Sequence, residues 1–184
     1  MEDKKGLKYF LKITLTLVAI AAVMAFALAA VNAATKARID ENSVKEMNDV
    51  ISRIFGEGIT STELKFTPSD PVDAVYSIET GGEFAGWAVK CSPMGFKDEI
   101  EMIVGVNADG TCKSVRIISL SETPGLGAKV QEDSFLDQFG GASGNLEVKV
   151  NVQEVAGATI SSRAVTRAVN AALEAVGQLG GEKK

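Results

Sequence analysis

The stretch Ile100-Glu101-Met102-Ile103-Val104-Gly105-Val106-Asn107-Ala108-Asp109-Gly110-Thr111-Cys112-Lys113-Ser114-Val115-Arg116-Ile117-Ile118-Ser119-Leu120 decides the fold. Ile100, Met102, Val104 and Val106 alternate with other residues, the period of a half-buried strand. Asn107-Ala108-Asp109-Gly110 is a tight-turn sequence, because Asn, Asp and Gly tolerate the left-handed backbone that a hairpin reversal needs. Residues 99–106 and 112–120 therefore read as an antiparallel hairpin. Upstream, residues 60–66, 74–79 and 86–91 read as further short strands, with Gly81-Gly82 as another turn. Adjacent strands joined by short links pair antiparallel, since parallel pairing needs a long crossover.

Downstream of the hairpin, Ser121-Glu122-Thr123-Pro124-Gly125-Leu126-Gly127 is a specified loop: Pro124 fixes its own φ, and Gly125 and Gly127 permit positive φ. Residues 124–131 suit a short helix. Phe135, Leu136 and Phe139 suit a second one packed on the sheet. Residues 140–145 are rich in Gly and Ser and read as a surface loop, and 146–150 as one more strand. A final helix is expected over 162–176, where Ala164, Val165, Ala168, Val169, Ala172, Leu173 and Val176 form one apolar stripe. The fold class is thus α+β: an antiparallel sheet flanked by helices.

Before that helix stands Val155-Ala156-Gly157-Ala158-Thr159-Ile160-Ser161-Ser162. Two readings fit it. In one it is a strand-to-helix turn with Ser161 or Ser162 as the cap. In the other, small residues let the backbone approach a ligand and the helix N-terminus offers its free N–H groups to a phosphate. Arg163, in the first turn, either reaches that phosphate or belongs to a solvated face.

At the other end of the chain, residues 13–31 form an uncharged apolar run. As a helix it spans about 28 Å, close to the hydrocarbon thickness of a bilayer. Lys4, Lys5, Lys8 and Lys12 precede it, which puts residues 1–12 in the cytoplasm and residues 32–184 outside it. A cleaved signal peptide ending near Ala29-Ala30 or Ala33-Ala34 is the competing reading, although the run is longer than the usual apolar core of such a peptide. Residues 35–55 continue with Ile39, Val44, Met47, Val50, Ile51 and Ile54 at near-helical spacing, and Gly56 and Gly58 end that helix.

The net charge is −5, from 19 basic and 24 acidic residues. An acidic domain argues against nucleic acid, which rewards clustered Lys and Arg. The chain has no histidine, so His-based triads and imidazole metal sites are excluded. Cys91 and Cys112 lack the spacing of a zinc or iron–sulfur site. They fall near opposite ends of two strands of the meander and are expected as free thiols, because a disulfide needs Cα atoms within roughly 7 Å.

With both motifs in their order behind one apolar run, the chain resembles the FMN-carrying subunits of Rnf and Na+-translocating NADH:quinone oxidoreductase complexes, and is most similar to the G subunit of Rnf. The resemblance covers nearly the whole chain. It implies FMN joined to Thr159 as a phosphoester, placed there by a flavin transferase. It sets Glu122, Thr123 and Leu126 against the isoalloxazine ring, and Gly157, Ala158, Ser161 and Arg163 around the phosphate. Met94 and Phe96 either close the other side of the ring or pack as a hairpin tip. The partners implied are the other membrane subunits of a complex coupling ferredoxin:NAD+ electron transfer to Na+ or H+ translocation. Two positions depart from the family pattern: Ala156 stands where it usually has Ser, and Gln153, beside Glu154, where it often has Asp. The alternatives are a membrane-anchored binding module without redox activity, which would hold a partner by a sheet edge, and a flavin enzyme acting on a small substrate. The second needs proton donors that this short domain has little room to supply.

Overall fold

A computed structural model describes residues 3–181. The chain divides into two compact units, Met1–Lys45 and Glu46–Lys184. Helix α1 runs over Asp3–Phe55. The helices expected over 13–31 and 35–55 are therefore one, and the physical reason is plain: neither Gly nor Pro occurs between Gly6 and Gly56 to interrupt it.

In the first unit, Lys8–Thr35 is a 28-residue stretch apolar and long enough to cross a membrane, and every side chain in it is exposed. Two of its hydroxyls bond within the helix. Thr16 Oγ1 donates to the Lys12 carbonyl and Thr35 Oγ1 to the Val31 carbonyl, each at 2.8 Å. That back-bonding is what lets threonine sit in an apolar helix.

In the second unit, β1 (Ile59–Glu63), β2 (Val72–Thr80), β3 (Glu83–Cys91), β4 (Ile100–Asn107) and β5 (Cys112–Leu120) form one antiparallel meander in the order β1-β2-β3-β4-β5. The central hairpin forms, with Ile100 opposite Leu120 and Val104 opposite Val115, and with irregularities between Glu101 and Met102 and between Gly105 and Val106. Its turn is held by the Asp109 carboxylate, which accepts from the Thr111 N–H at 2.9 Å and hydroxyl at 2.7 Å. The β3–β4 pairing is close: a Cβ on Gly86 would lie 2.1 Å from the Val106 carbonyl oxygen, so only glycine fits there.

Strand β4 is buried on both faces rather than one. Met102, Val104 and Val106 face the larger core, under helix α3 (Thr159–Gly181). Ile103 points the opposite way, into a second cluster with Ile51, Ile54, Ile78 and Ala88. The last turns of α1 supply that cover. Gly105 makes room for it: an added Cβ would sit 2.5 Å from Ile54 Cγ2.

Helix α3 buries the whole expected stripe, from Ala164 to Val176. Each fully buried Val or Leu is worth roughly 2 kcal/mol of apolar transfer, an upper figure because unfolded chains are partly collapsed. A 3-10 turn at Gly127–Gln131, the short α2 (Asp133–Leu136) and another 3-10 turn at Asp137–Phe139 close the edge of this core with Val130, Phe135, Leu136 and Phe139.

The expected strand over 146–150 does not form. The Glu147 carbonyl accepts three N–H groups, from Val150, Asn151 and Val152, each at 3.1 Å. Asn151 Oδ1 accepts from the Glu147 N–H at 2.7 Å. Lys149 sits at φ 73°. The alternating Leu-Glu-Val-Lys-Val pattern is thus wound into a tight loop, with only an isolated bridge between Val148 and Val152. Cys91 and Cys112 are both buried and free.

Candidate functional site

Helix α3 begins at Thr159, earlier than the apolar stripe implied. Gly157 adopts φ 78°, which a side chain would resist. The Ala158 N–H closes a turn on the Val155 carbonyl at 2.9 Å, and the Ala158 carbonyl accepts the first helical bond from Ser162 N at 2.8 Å. Ala158 is therefore the capping residue, and Thr159 is the first residue of the helix. The N–H groups of Thr159, Ile160 and Ser161 precede the first i→i−4 partner and point out of the helix end.

Ser161 and Ser162, expected as caps, lie inside the first turn and are buried. Their hydroxyls have other tasks. Ser162 Oγ accepts from the Val155 N–H at 3.1 Å, and Ser161 Oγ donates to Glu122 Oε2 at 3.0 Å.

Glu122 is the hinge-pin of the site. It is 6% exposed, yet its carboxylate is fully engaged. Oε1 accepts from the N–H groups of Phe96 at 2.7 Å and Lys97 at 3.1 Å, while Oε2 takes the Ser161 hydroxyl. One side chain thereby joins the β3–β4 loop, the loop after β5 and the start of α3. Two glycines admit it. A Cβ on Gly95 would lie 2.3 Å from Oε1, and one on Gly127 would lie 2.3 Å from Oε2.

A cavity of about 360 Å3 opens where these segments meet. Phe96 lines it from the β3–β4 loop, Glu122, Thr123, Leu126 and Gly127 from the loop after β5, and residues 157–161 from the helix start. Its mouth is apolar: Phe96 is 68%, Ile160 52% and Leu126 49% exposed. Exposed large apolar groups around a concavity with a few fixed polar ones mark a ligand site. Met94 is exposed as well but does not line the cavity.

The Thr159 hydroxyl, and after it Lys149, hold the Glu154 carboxyl below the ordinary carboxylate range. Lys149 Nζ is 3.1 Å from Glu154 Oε1. Glu154 Oε2 is buried and makes no hydrogen bond. Arg163 is outside the cavity. It lines a neighbouring hollow with Arg167, Thr166 and Asn170, and acts on Glu154 only through its charge.

Of the residues singled out in the sequence, Glu122, Thr123, Leu126, Gly157, Ala158, Thr159 and Ser161 all line one cavity, and Arg163 does not. Ile160 and Lys149 were missed. Ile160 looked like a helix residue, and no local signal in the sequence brings Lys149 to Glu154. Among the described residues no group of three His, Cys, Asp or Glu side chains comes together in a metal-binding arrangement.

The FMN-binding domain family matches residues 95–174, from the loop carrying Phe96 into α3, and so takes in every wall of the cavity. The G subunit of the Na+-translocating ferredoxin:NAD+ oxidoreductase complex of Acetobacterium woodii is 30% identical over 91% of this chain and 91% of its own. The chain belongs to the family of G subunits of ion-translocating ferredoxin:NAD+ oxidoreductase complexes. The G subunit of the Methanosarcina acetivorans ion-translocating oxidoreductase complex is 28% identical over 96% of this chain and 97% of its own. Among solved structures, Shewanella oneidensis NqrC matches with a TM-score of 0.52 and 18% identity, covering 71% of this chain and 86% of that one, a likeness of fold. In this member of the family the two sequence motifs line a single cavity.

Proposed function

We propose that this chain holds FMN covalently, as a phosphoester of Thr159, and relays electrons one at a time between other subunits of a membrane complex that couples ferredoxin:NAD+ electron transfer to Na+ or H+ translocation. The observation that carries the reading is the convergence of the Thr159 side chain, a free helix N-terminus and an apolar-mouthed cavity at one place. FMN supplies the redox chemistry through its ring; the protein holds and tunes it. The residues here fit that division of labour. The N–H groups of Thr159, Ile160 and Ser161 face the phosphate position, where the positive end of the α3 dipole stabilises negative charge. Leu126, Phe96 and Ile160 offer flat apolar surface to a ring and exclude water from one side of it. Thr123 provides a polar edge. Glu122 is committed to three protein donors, so it sets the shape of the cavity and donates no proton into it.

The chain is membrane-anchored, with its crossing segment at 13–31 within Lys8–Thr35. The lysines before this segment orient it with residues 1–12 in the cytoplasm and 32–184 outside. Neither ferredoxin nor NAD+ binds here, since both react on the cytoplasmic side. A flavin transferase attaches the FMN.

Intact mass and in-gel fluorescence of the full chain, expressed with and without a flavin transferase, test the reading. The wild type gains the mass of one FMN only with the transferase. Thr159→Ala gains none and keeps its fold, and Thr159→Ser keeps part of the labelling. Covalent flavin that persists in Thr159→Ala overturns the assignment and moves it to Ser161.

A further inference from the structure

We propose that Glu122 sets the reduction potential of the flavin held in this cavity: its buried negative charge opposes the electron that reduction adds to the ring and so keeps the potential low. This rests on FMN occupying the cavity, and not on how its phosphate is attached.

Of the residues lining the cavity, Glu122 alone carries a formal charge. The rest are glycine, alanine, hydroxyl residues and the apolar Phe96, Leu126 and Ile160. Glu122 is 6% exposed. Its Oε1 accepts from the N–H groups of Phe96 and Lys97 at 2.7 and 3.1 Å, and its Oε2 from the Ser161 hydroxyl at 3.0 Å. A set made only of donors suits an ionised carboxylate, which can only accept. These donors are dipoles, so they steady the charge without cancelling it. Lys97 contributes only its backbone here, and among the described residues no lysine or arginine forms an ion pair with Glu122. Buried charges ordinarily have such a partner. The other charges near the start of α3 lie outside the cavity lining: Glu154 pairs with Lys149 at 3.1 Å, and Arg163 lines the neighbouring hollow. The carboxylate is also fixed in place. A Cβ on Gly95 would stand 2.3 Å from Oε1 and one on Gly127 2.3 Å from Oε2, so the glycines leave just enough room for it. Gly127 is itself cavity wall, which puts Oε2 at the lining.

Reduction adds one electron to the ring. The donor, another subunit of the complex or a chemical reductant in vitro, loses that electron, and no bond to the protein forms or breaks. Taken up without a proton, the electron gives the ring one more negative charge in the field of Glu122. Like charges repel, and a charge removed from water is weakly screened. The reduced ring is therefore destabilised relative to the oxidised one.

The test uses the full-length chain in detergent, loaded with FMN by a flavin transferase and titrated spectroscopically with dithionite against reference dyes. Glu122→Gln keeps the shape of the side chain and removes the charge. It raises the equilibrium constant for adding one electron by about tenfold or more, an upward shift of about 59 mV for each factor of ten. Glu122→Asp keeps the charge and stays within about threefold of wild type. A purely structural role predicts the opposite ranking, because the shorter Asp disturbs the three hydrogen bonds more than Gln does. Ser161→Ala removes one donor and leaves the charge, so its potential falls; it carries the test if Glu122→Gln loads no flavin. An unmoved or lowered potential in Glu122→Gln overturns the proposal. So does a rise in Glu122→Asp equal to that in Glu122→Gln, or a potential in Ser161→Ala that does not fall. A wild-type chain that takes up no flavin sinks the flavin reading itself, whereas a loaded chain whose potential ignores Glu122 sinks only this role.

Discussion

Replacing Glu122 by Ala removes the acceptor for three donors at once: the N–H groups of Phe96 and Lys97 and the Ser161 hydroxyl. A hydrogen bond to a charged group is worth about 1.5–3 kcal/mol, and an orphaned buried donor costs about 1–3 kcal/mol. The two backbone N–H groups are only part-buried and can take water, whereas Ser161 is buried. Counting Ser161 in full and the other two at a fraction puts the loss at about 3 kcal/mol. For a domain of this size that lowers Tm by roughly 10 °C. The flavin-free full chain in detergent, melted by circular dichroism, is the assay. Gly127→Ala sharpens it, because the new Cβ would stand 2.3 Å from Glu122 Oε2 and 3.1 Å from Ser161 Oγ. Crowding of this kind costs about 1–3 kcal/mol, but most of it vanishes once the carboxylate is gone. The two substitutions must therefore be strongly non-additive, with Gly127→Ala costing less than half as much in the Glu122→Ala background. A Tm drop below about 3 °C for Glu122→Ala, or equal costs of Gly127→Ala in both backgrounds, would refute the idea that this carboxylate ties the three segments together.

Leu126→Ala shifts the spectrum or reduction potential of the attached flavin without releasing it; an unchanged spectrum and potential would remove Leu126 from the ring site. Burial pushes the Cys112 thiol from its ordinary 9.0 up to about 12, and the Cys91 thiol, with Asp73 adding to the effect, higher still. Both folded values lie above the unfolded ones, so the protonated thiols stabilise the fold fully below pH 9 and progressively less from there towards pH 12. Cys112→Ala should therefore lose Tm more slowly than wild type between pH 9 and 11, and parallel curves would contradict this. Ser143 is exposed and both native thiols are buried. Ser143→Cys in intact cells should thus react with a membrane-impermeant maleimide against a silent background, and labelling only after permeabilisation would reverse the orientation.

The hairpin was legible because its information is local: alternation in β4, then Asn-Ala-Asp-Gly. The stripe of α3 was legible for the same reason. What failed did so where distant residues decide. Ser161 and Ser162 read as caps because that is their local preference, but Glu122 and the Val155 N–H claim their hydroxyls, so the helix starts earlier. Residues 146–150 alternate like a strand, yet one carbonyl gathering three N–H groups winds them into a loop. Strand β4 looked half-buried because nothing in its own sequence announces that Ile51 and Ile54 cover its second face. The cavity walls were found through two motifs, but the tie between them, Glu122 held between Gly95 and Gly127, is visible only in three dimensions.

Thr159 opens α3, and one face of the turns after it is core: Ser161 and Ser162 are buried, and Val165 and Ala168 are fully enclosed. A group esterified there would not be on a swinging arm. To displace its anchor the chain must unwind a turn pinned on both sides, an opening whose cost approaches that of the whole unit rather than of a loop. Donor and acceptor partners must then come to the flavin at the mouth formed by Phe96, Leu126 and Ile160. Reach is set by how those partners dock, and the amides from Ser162 onward, bonded within α3, should exchange with solvent slowly.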